Sequence, residues 1–317
     1  MKINLLLFLS LGMILFTVAF ATDHPAITDQ DSSTDPWELV TKNAAFSRRD
    51  SAKSCVFQGE MWLNNGYYHG NVNLRDLYKS VDGKTWELVL AETPYDIYSE
   101  IAGFNGKLWV AKNSLWSSSD GKTWKCVLEK APFAPCIELF VFKDAIWSLN
   151  NNALWRSTDG ENWSKIGENF PLRRRGAFAF AIHNDRFWVM AGGIKEVNDP
   201  PEKGYKDITT LNDVWSSADG KTWECVLEKA PWQPRQWVKA ESYAGWLWVM
   251  GGYDNVNSGN LNDVWRSRDG KEWEKFSVPT PWSARHEPSL FVFGGSLYLV
   301  AGNAWPVQND VWKLTLP

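Results

Sequence analysis

The sequence predicts an all-β chain folded as a six-bladed β-propeller with four antiparallel strands per blade, and three observations carry that expectation. A Ser-x-Asp-Gly-x-x-Trp segment recurs five times, starting at Ser80, Ser118, Ser157, Ser217 and Ser267 and ending at Trp86, Trp124, Trp163, Trp223 and Trp273. Its aspartates, Asp82, Asp120, Asp159, Asp219 and Asp269, follow one another at 38, 39, 60 and 50 residues, which brackets the length of a four-stranded blade. The two chain ends complement each other. Asn309-Asp310-Val311-Trp312 matches Asn212-Asp213-Val214-Trp215 and Asn262-Asp263-Val264-Trp265 but has no Asp-Gly hairpin after it, while Trp37-Glu38-Leu39-Val40 repeats Trp86-Glu87-Leu88-Val89 with no hairpin in front. The N-terminal strand is therefore expected to complete the last blade, which removes an open sheet edge and sets the count at six.

Each element of the repeat has a local reason. Asp-Gly between two strand-like runs is a hairpin signal, because Gly takes positive φ freely and the Asp side chain bonds nearby backbone. A short strand precedes it (Leu115-Trp116, Val214-Trp215, Val264-Trp265), and another is expected to begin at the motif Trp. Upstream lies a longer β-rich run, such as Arg186-Phe187-Trp188-Val189-Met190 or Trp246-Leu247-Trp248-Val249-Met250, itself preceded by an apolar stretch. Four strands per repeat follow.

The chain opens with Lys2 and an apolar run from Leu5 to Phe20, ending in Ala19-Phe20-Ala21. This pattern reads as a secretory signal peptide cleaved after Ala21, and the run falls short of the roughly 20 residues that span a bilayer. The expected organisation is a signal peptide at 1–21, a flexible polar lead at 22–35 and one propeller domain at 36–317, in a secreted or periplasmic protein without stable membrane insertion. The formal net charge of −4 excludes non-specific nucleic-acid binding. Cys55, Cys126, Cys136 and Cys225 are too few and too scattered for a disulfide framework, and read as buried small hydrophobes.

Gly192-Gly193 and Gly251-Gly252, each followed by a loop, by Asn-Asp-Val-Trp and by a terminal Trp, resemble the Kelch repeat, including the central domain of galactose-oxidase-like propellers. The Ser-x-Asp-Gly-x-x-Trp segment also resembles the Asp-box of sialidase-type propellers, with one residue fewer between Asp and Trp. The Kelch resemblance implies that the Asp-Gly hairpins share one face, and that the loops entering each blade and those between second and third strands share the other. Function in such propellers usually lies on that second face, so the five Asp-Gly motifs read as structural.

Aligning the entry loops on their aromatic residue (Phe46, Tyr95, Phe133, Phe170, Trp232, Trp282) places Arg49, Tyr98, Cys136, Arg173, Arg235 and Arg285 three residues further on. The four blades with Arg also have the longer loops, from Asn64 to Asp76, Gly192 to Asp213, Gly251 to Asp263 and Gly302 to Asp310, and they are neighbours in a closed ring. One basic, walled sector is expected, in which Arg49, Arg173, Arg235 and Arg285 take carboxylate or phosphate and Tyr68, Tyr253, Trp237 and Trp305 stack on a sugar or another flat face. The alternative, that these arginines pair with nearby carboxylates, stays open. Two positions past the column come Ser51, Glu100, Glu138, Arg175, Trp237 and Glu287, of which Glu287 and Glu138 are the candidate proton-transfer groups.

Only His69, His183 and His286 remain beyond the N-terminal segment, and no Cys, His or carboxylate cluster has zinc spacing, so no metal and no cofactor is expected. The first functional reading is a non-catalytic recognition module for an anionic glycan or a protein partner. The second is a sugar-acid-modifying enzyme, glycosidase-like or similar to the sialic-acid mutarotases, which are six-bladed Kelch-like proteins. That resemblance implies Arg173, Arg235 and Arg285 as carboxylate binders and Glu287 or Glu138 as the acid/base group.

Overall fold

The computed structural model describes residues 35–316 apart from 69, 71, 151–152, 168–174, 196–203 and 205–206. The expected signal peptide, His69 and Arg173 lie outside the described residues. No α-helix is present among those described, and no helix there is long and apolar enough to cross a membrane.

The described strands form six four-stranded antiparallel sheets, beside a small three-stranded sheet (Arg175–Gly176, Gly193–Ile194, Thr209–Thr210) and a two-stranded one (Tyr253–Asp254, Gly259–Asn260). The first contains Lys53–Phe57, Glu60–Tyr68, Val72–Ser80 and Glu87–Leu90, and the second Glu100–Phe104, Lys107–Ala111, Leu115–Ser118 and Lys125–Leu128. The third contains Glu138–Phe142, Ala145–Leu149, Leu154–Ser157 and Ser164–Gly167, and the fourth Ala179–His183, Arg186–Met190, Val214–Ser217 and Glu224–Leu227. Lys239–Tyr243, Trp246–Met250, Val264–Ser267 and Trp273–Lys275 make the fifth. The sixth joins Ser289–Phe293, Ser296–Asn303 and Val307–Leu314 to Trp37–Thr41, so the first described strand pairs with the last, Leu39 opposite Trp312. The first strand of the first sheet lies against the first strands of both the second and the sixth sheets. Repeated sheets packed in this way make a β-propeller.

The apolar core lies between successive sheets. The third residue of each second strand is a large aromatic: Trp62, Trp109, Trp147, Trp188, Trp248 and Tyr298, all buried. The first five donate Nε1–H to the carbonyl that ends the preceding strand, for example Trp188 to His183 at 3.0 Å, which places a polar indole atom in the core without an unmet bond. Four of the five hairpin glycines, Gly83, Gly121, Gly160 and Gly270, rest on such a ring of a neighbouring sheet: a Cβ on Gly160 would come 2.3 Å from Trp109, and one on Gly270 2.0 Å from Trp188. Gly is thus required in the Asp-Gly turn both by its positive φ and by inter-sheet packing.

The five hairpins repeat one bonding pattern. Ser118 Oγ accepts from the Gly121 N–H at 2.8 Å, and Asp120 Oδ1 accepts from the N–H groups of Lys122 and Thr123 at 2.8 Å each. Those backbone bonds hold Asp120 below the usual carboxylate range. The motif Trp precedes the fourth strand in four sheets and opens it at Trp273; in all five its Nε1–H turns back to the motif Gly carbonyl. The expectation that the cysteines are buried small hydrophobes holds only for Cys136; Cys55 and Cys126 are half-buried and Cys225 is exposed.

Candidate functional site

The arginine column is structural. Arg49, Arg235 and Arg285 are fully buried, and each grips the aspartate that opens the third-strand motif through both terminal nitrogens: Asp76 at 2.5 and 2.9 Å, Asp263 at 2.5 and 2.9 Å, Asp310 at 2.6 and 2.9 Å. Nη1 also donates to the carbonyl 16 residues on, and Nε to the carbonyl two residues back. Against the burial that would raise it, Arg235 holds Asp263 below the usual carboxylate range. Trp265 and Trp312 complete the unit by donating Nε1–H to Asp263 and Asp310 at 2.7 and 2.8 Å. Gly252, at φ 104°, leaves room for the Arg235 side chain, whose Cδ a Cβ there would meet at 3.2 Å. These forks are occupied, so the expectation that they present themselves to a carboxylate or phosphate ligand is corrected.

The column also runs through a different residue in the fourth sheet. Arg175 donates to Asp213 at 2.6 and 2.7 Å and to the Ala191 carbonyl at 2.9 Å, the carboxylate fork and the carbonyl bond of the other three without their Nε bond. Alignment on Phe170 therefore places Arg173 two residues early, and Arg173 itself lies outside the described residues. The residues two past the true column are Ser51, Ala177, Trp237 and Glu287, all at positive φ between 48° and 55°. They join the four sheets in an arc of backbone bonds: Ser51 N–H to Glu287 O, Glu287 N–H to Trp237 O and Trp237 N–H to Ala177 O. These four sheets are thus joined by backbone bonds, with no column arginine presented among them.

Inside this arc the polar groups are less completely matched. Ser51 Oγ lies 2.9 Å from Asp50 Oδ1 and 2.6 Å from Glu287 Oε2, and one hydroxyl hydrogen cannot serve both carboxylates. Burial, and then the charge of Glu287, raise Asp50 to about 6, although bonds from Ser51 and Asn303 pull the other way. Burial lowers His286 to about 4, so its imidazole is neutral at neutral pH. His286 stacks on Trp237 at 4.9 Å and touches Tyr253 and Trp305 at 5.9 and 5.5 Å. The Tyr98 phenol is raised to about 12 by burial and by the nearby Asp50 and Glu287.

Below the mouth, the channel holds a cavity of about 240 Å³ whose polar wall is Lys53, Glu100, Glu138, Lys239, Glu241 and Ser289. A smaller space of about 200 Å³ above it shares Lys53, Glu138 and Lys239 and adds Trp237 and Glu287. Lys53 pairs with Glu100 at 2.5 Å. Burial and the neighbouring Glu100 raise Glu138, and burial raises Glu241 to about 7.

The expected residues therefore separate. Trp237, Trp305, Tyr253 and Glu287 gather at the mouth; Trp305 is 50% exposed, Tyr253 is buried beneath Trp237, and Tyr68, 41% exposed on the first-sheet hairpin, is not part of that ring cluster. Glu138 lies deeper, at the start of a first strand rather than two past the column, as does Glu100. Sequence reasoning passed over Asp50 and His286, although each directly follows a column arginine. It also missed Lys53, Lys239 and Glu241, which face the channel because a first strand turns alternate side chains inward.

No family model and no curated protein matches the chain. Among solved structures it is similar to YjhT, with a TM-score of 0.66 and 13% identity over 86% of this chain and 96% of that one. At that identity the likeness concerns the fold.

Proposed function

We propose that this is an exported, Kelch-like propeller of six blades, closed by the pairing of Trp37–Thr41 with Val307–Leu314, whose mouth recognises a neutral glycan. Residues 1–21 serve as its signal peptide in this reading, giving a secreted or periplasmic protein. The observation that carries the glycan reading is the half-exposed Trp305, linked through His286 to Trp237 at the rim of a cavity walled by carboxyl and amine groups. Indole faces pack on the C–H face of a sugar ring while charged and amide groups take its hydroxyls. An anionic sugar fits less well, because Asp50, Glu100, Glu138, Glu241 and Glu287 outnumber Lys53 and Lys239 around the site.

A panel of neutral and acidic oligosaccharides, followed by calorimetry on the binders, tests this. Neutral sugars should bind, and Trp305→Ala should weaken them roughly fivefold to tenfold with little change in stability. Binding by no sugar in the panel would leave a protein partner instead. The catalytic alternative draws on one observation, the raised Glu138 beside Glu100 and Lys53 at the cavity wall, a suitable acid/base group. Faster anomer exchange of a bound sugar than in buffer, lost in Glu138→Gln, would favour it.

A further inference from the structure

Two carboxyl groups and an imidazole converge where the sixth and first sheets meet. Asp50, His286 and Glu287 each bring one ligand atom to a point where all three atoms lie within 4.8 Å of one another. His286 is only 4% exposed, and its Nδ1 lies 2.7 Å from Asn260 Oδ1. Asn260 Nδ2 is committed to the Asn303 carbonyl at 2.8 Å, so its Oδ1 accepts and Nδ1 of the imidazole carries the hydrogen. Nε2 then keeps its lone pair, and it makes no hydrogen bond among the described residues. Asp50 is oriented in the same manner, its Oδ2 held by Asn303 Nδ2 at 2.8 Å. Only Ser51 mediates between the two carboxyls, and Lys53, the cation of the adjoining wall, is engaged by Glu100.

The geometry points to a divalent transition-metal site, for Zn²⁺ or Mn²⁺, formed by Nε2 of His286 and one oxygen each of Asp50 and Glu287. A neutral imidazole with two carboxylates is a donor set that such ions take, and the amides of Asn260 and Asn303 are the outer partners that fix the ligands' orientation. The ion supplies positive charge for one buried carboxyl, Asp50, and one half-buried carboxyl, Glu287. Three protein ligands leave coordination positions open. Glu287 lines the cavity beside Trp237, so these positions suit adjacent hydroxyls of a bound sugar, a step that rests on the glycan reading above. The ligands come from opposite ends of the chain, which is why no metal spacing shows in the sequence.

Metal-free protein is titrated with Mn²⁺ followed by electron paramagnetic resonance, and with Zn²⁺ followed by calorimetry. One ion per chain is expected, with binding weakened more than about tenfold in His286→Ala and in Glu287→Gln. Because His286→Ala also opens a space in an aromatic cluster, circular dichroism and melting are recorded for both variants, and the nearly isosteric Glu287→Gln carries the decision if the first does not fold. No saturable binding by folded wild-type protein, or unchanged binding in folded Glu287→Gln, overturns the site. Sugar titrations in excess chelator separate the two readings. Undiminished sugar affinity without metal overturns the ion's role in recognition while leaving the glycan reading intact, and an ion bound by protein that takes no sugar supports the site alone.

Discussion

The segments that enter the sixth and first sheets carry two kinds of residue side by side. Arg285 and Arg49 have their donors matched to a carboxylate and to backbone carbonyls, at full burial. His286 and Asp50, one residue on, are nearly as buried, yet among the described residues the imidazole keeps an unused nitrogen and the carboxyl shares one hydroxyl with Glu287. Burial alone thus does not distinguish scaffold from site; the completeness of the hydrogen bonding does. A matched group needs no ligand, while a buried group left partly matched costs stability unless something binds it.

The comparison breaks most severely at the aspartate of the column. Asp263→Ala leaves Arg235 buried and unpaired, and should cost about 3–5 kcal/mol in denaturant unfolding; a cost near zero would mean that the arginines are free to serve a ligand. Gly160→Ala should cost about 1–3 kcal/mol, since its Cβ would overlap Trp109, whereas Gly59→Ala, with nothing within 4 Å, should show only the smaller cost of its positive φ. Melting of the two variants side by side measures the packing share.

A smaller effect is expected in the channel. Glu241 is raised from 4.5 to about 7 by burial, so between those values the folded chain holds a proton that the unfolded chain has released. Stability must then fall as pH rises through that window, and it is fully present below it. Glu241→Gln should flatten the slope, by roughly 3 kcal/mol across the window at most. Urea unfolding of both proteins at several pH values between 4 and 8 gives the difference.

The scaffold was legible because its chemistry is local and repeated. Ser, Asp, Gly and Trp of each hairpin bond to one another within a few residues, and the pairing of Trp37–Thr41 with Val307–Leu314 shows as a motif split between the chain ends. The site was legible only in outline. The long loops located the sector, and Trp237, Trp305, Tyr253 and Glu287 do meet there. Counting from an aromatic anchor failed in the fourth sheet, where Arg175 and not Arg173 takes the column, because entry loops differ in length while the Arg–Asp bond does not. The convergence of Asp50 with Glu287 was hidden altogether, since residues so far apart in sequence become neighbours only when the first and sixth sheets pack.

The most direct test uses indole N–H resonances, because tryptophans report on both regions. Trp265 and Trp312 are hydrogen-bonded within the arginine column, while Trp237 and Trp305 flank His286 at the mouth. On adding a neutral oligosaccharide that binds, the account predicts shifts for Trp237 and Trp305 with Trp265 and Trp312 unmoved. Shifts confined to Trp265 and Trp312 would contradict it and return the site to the arginines.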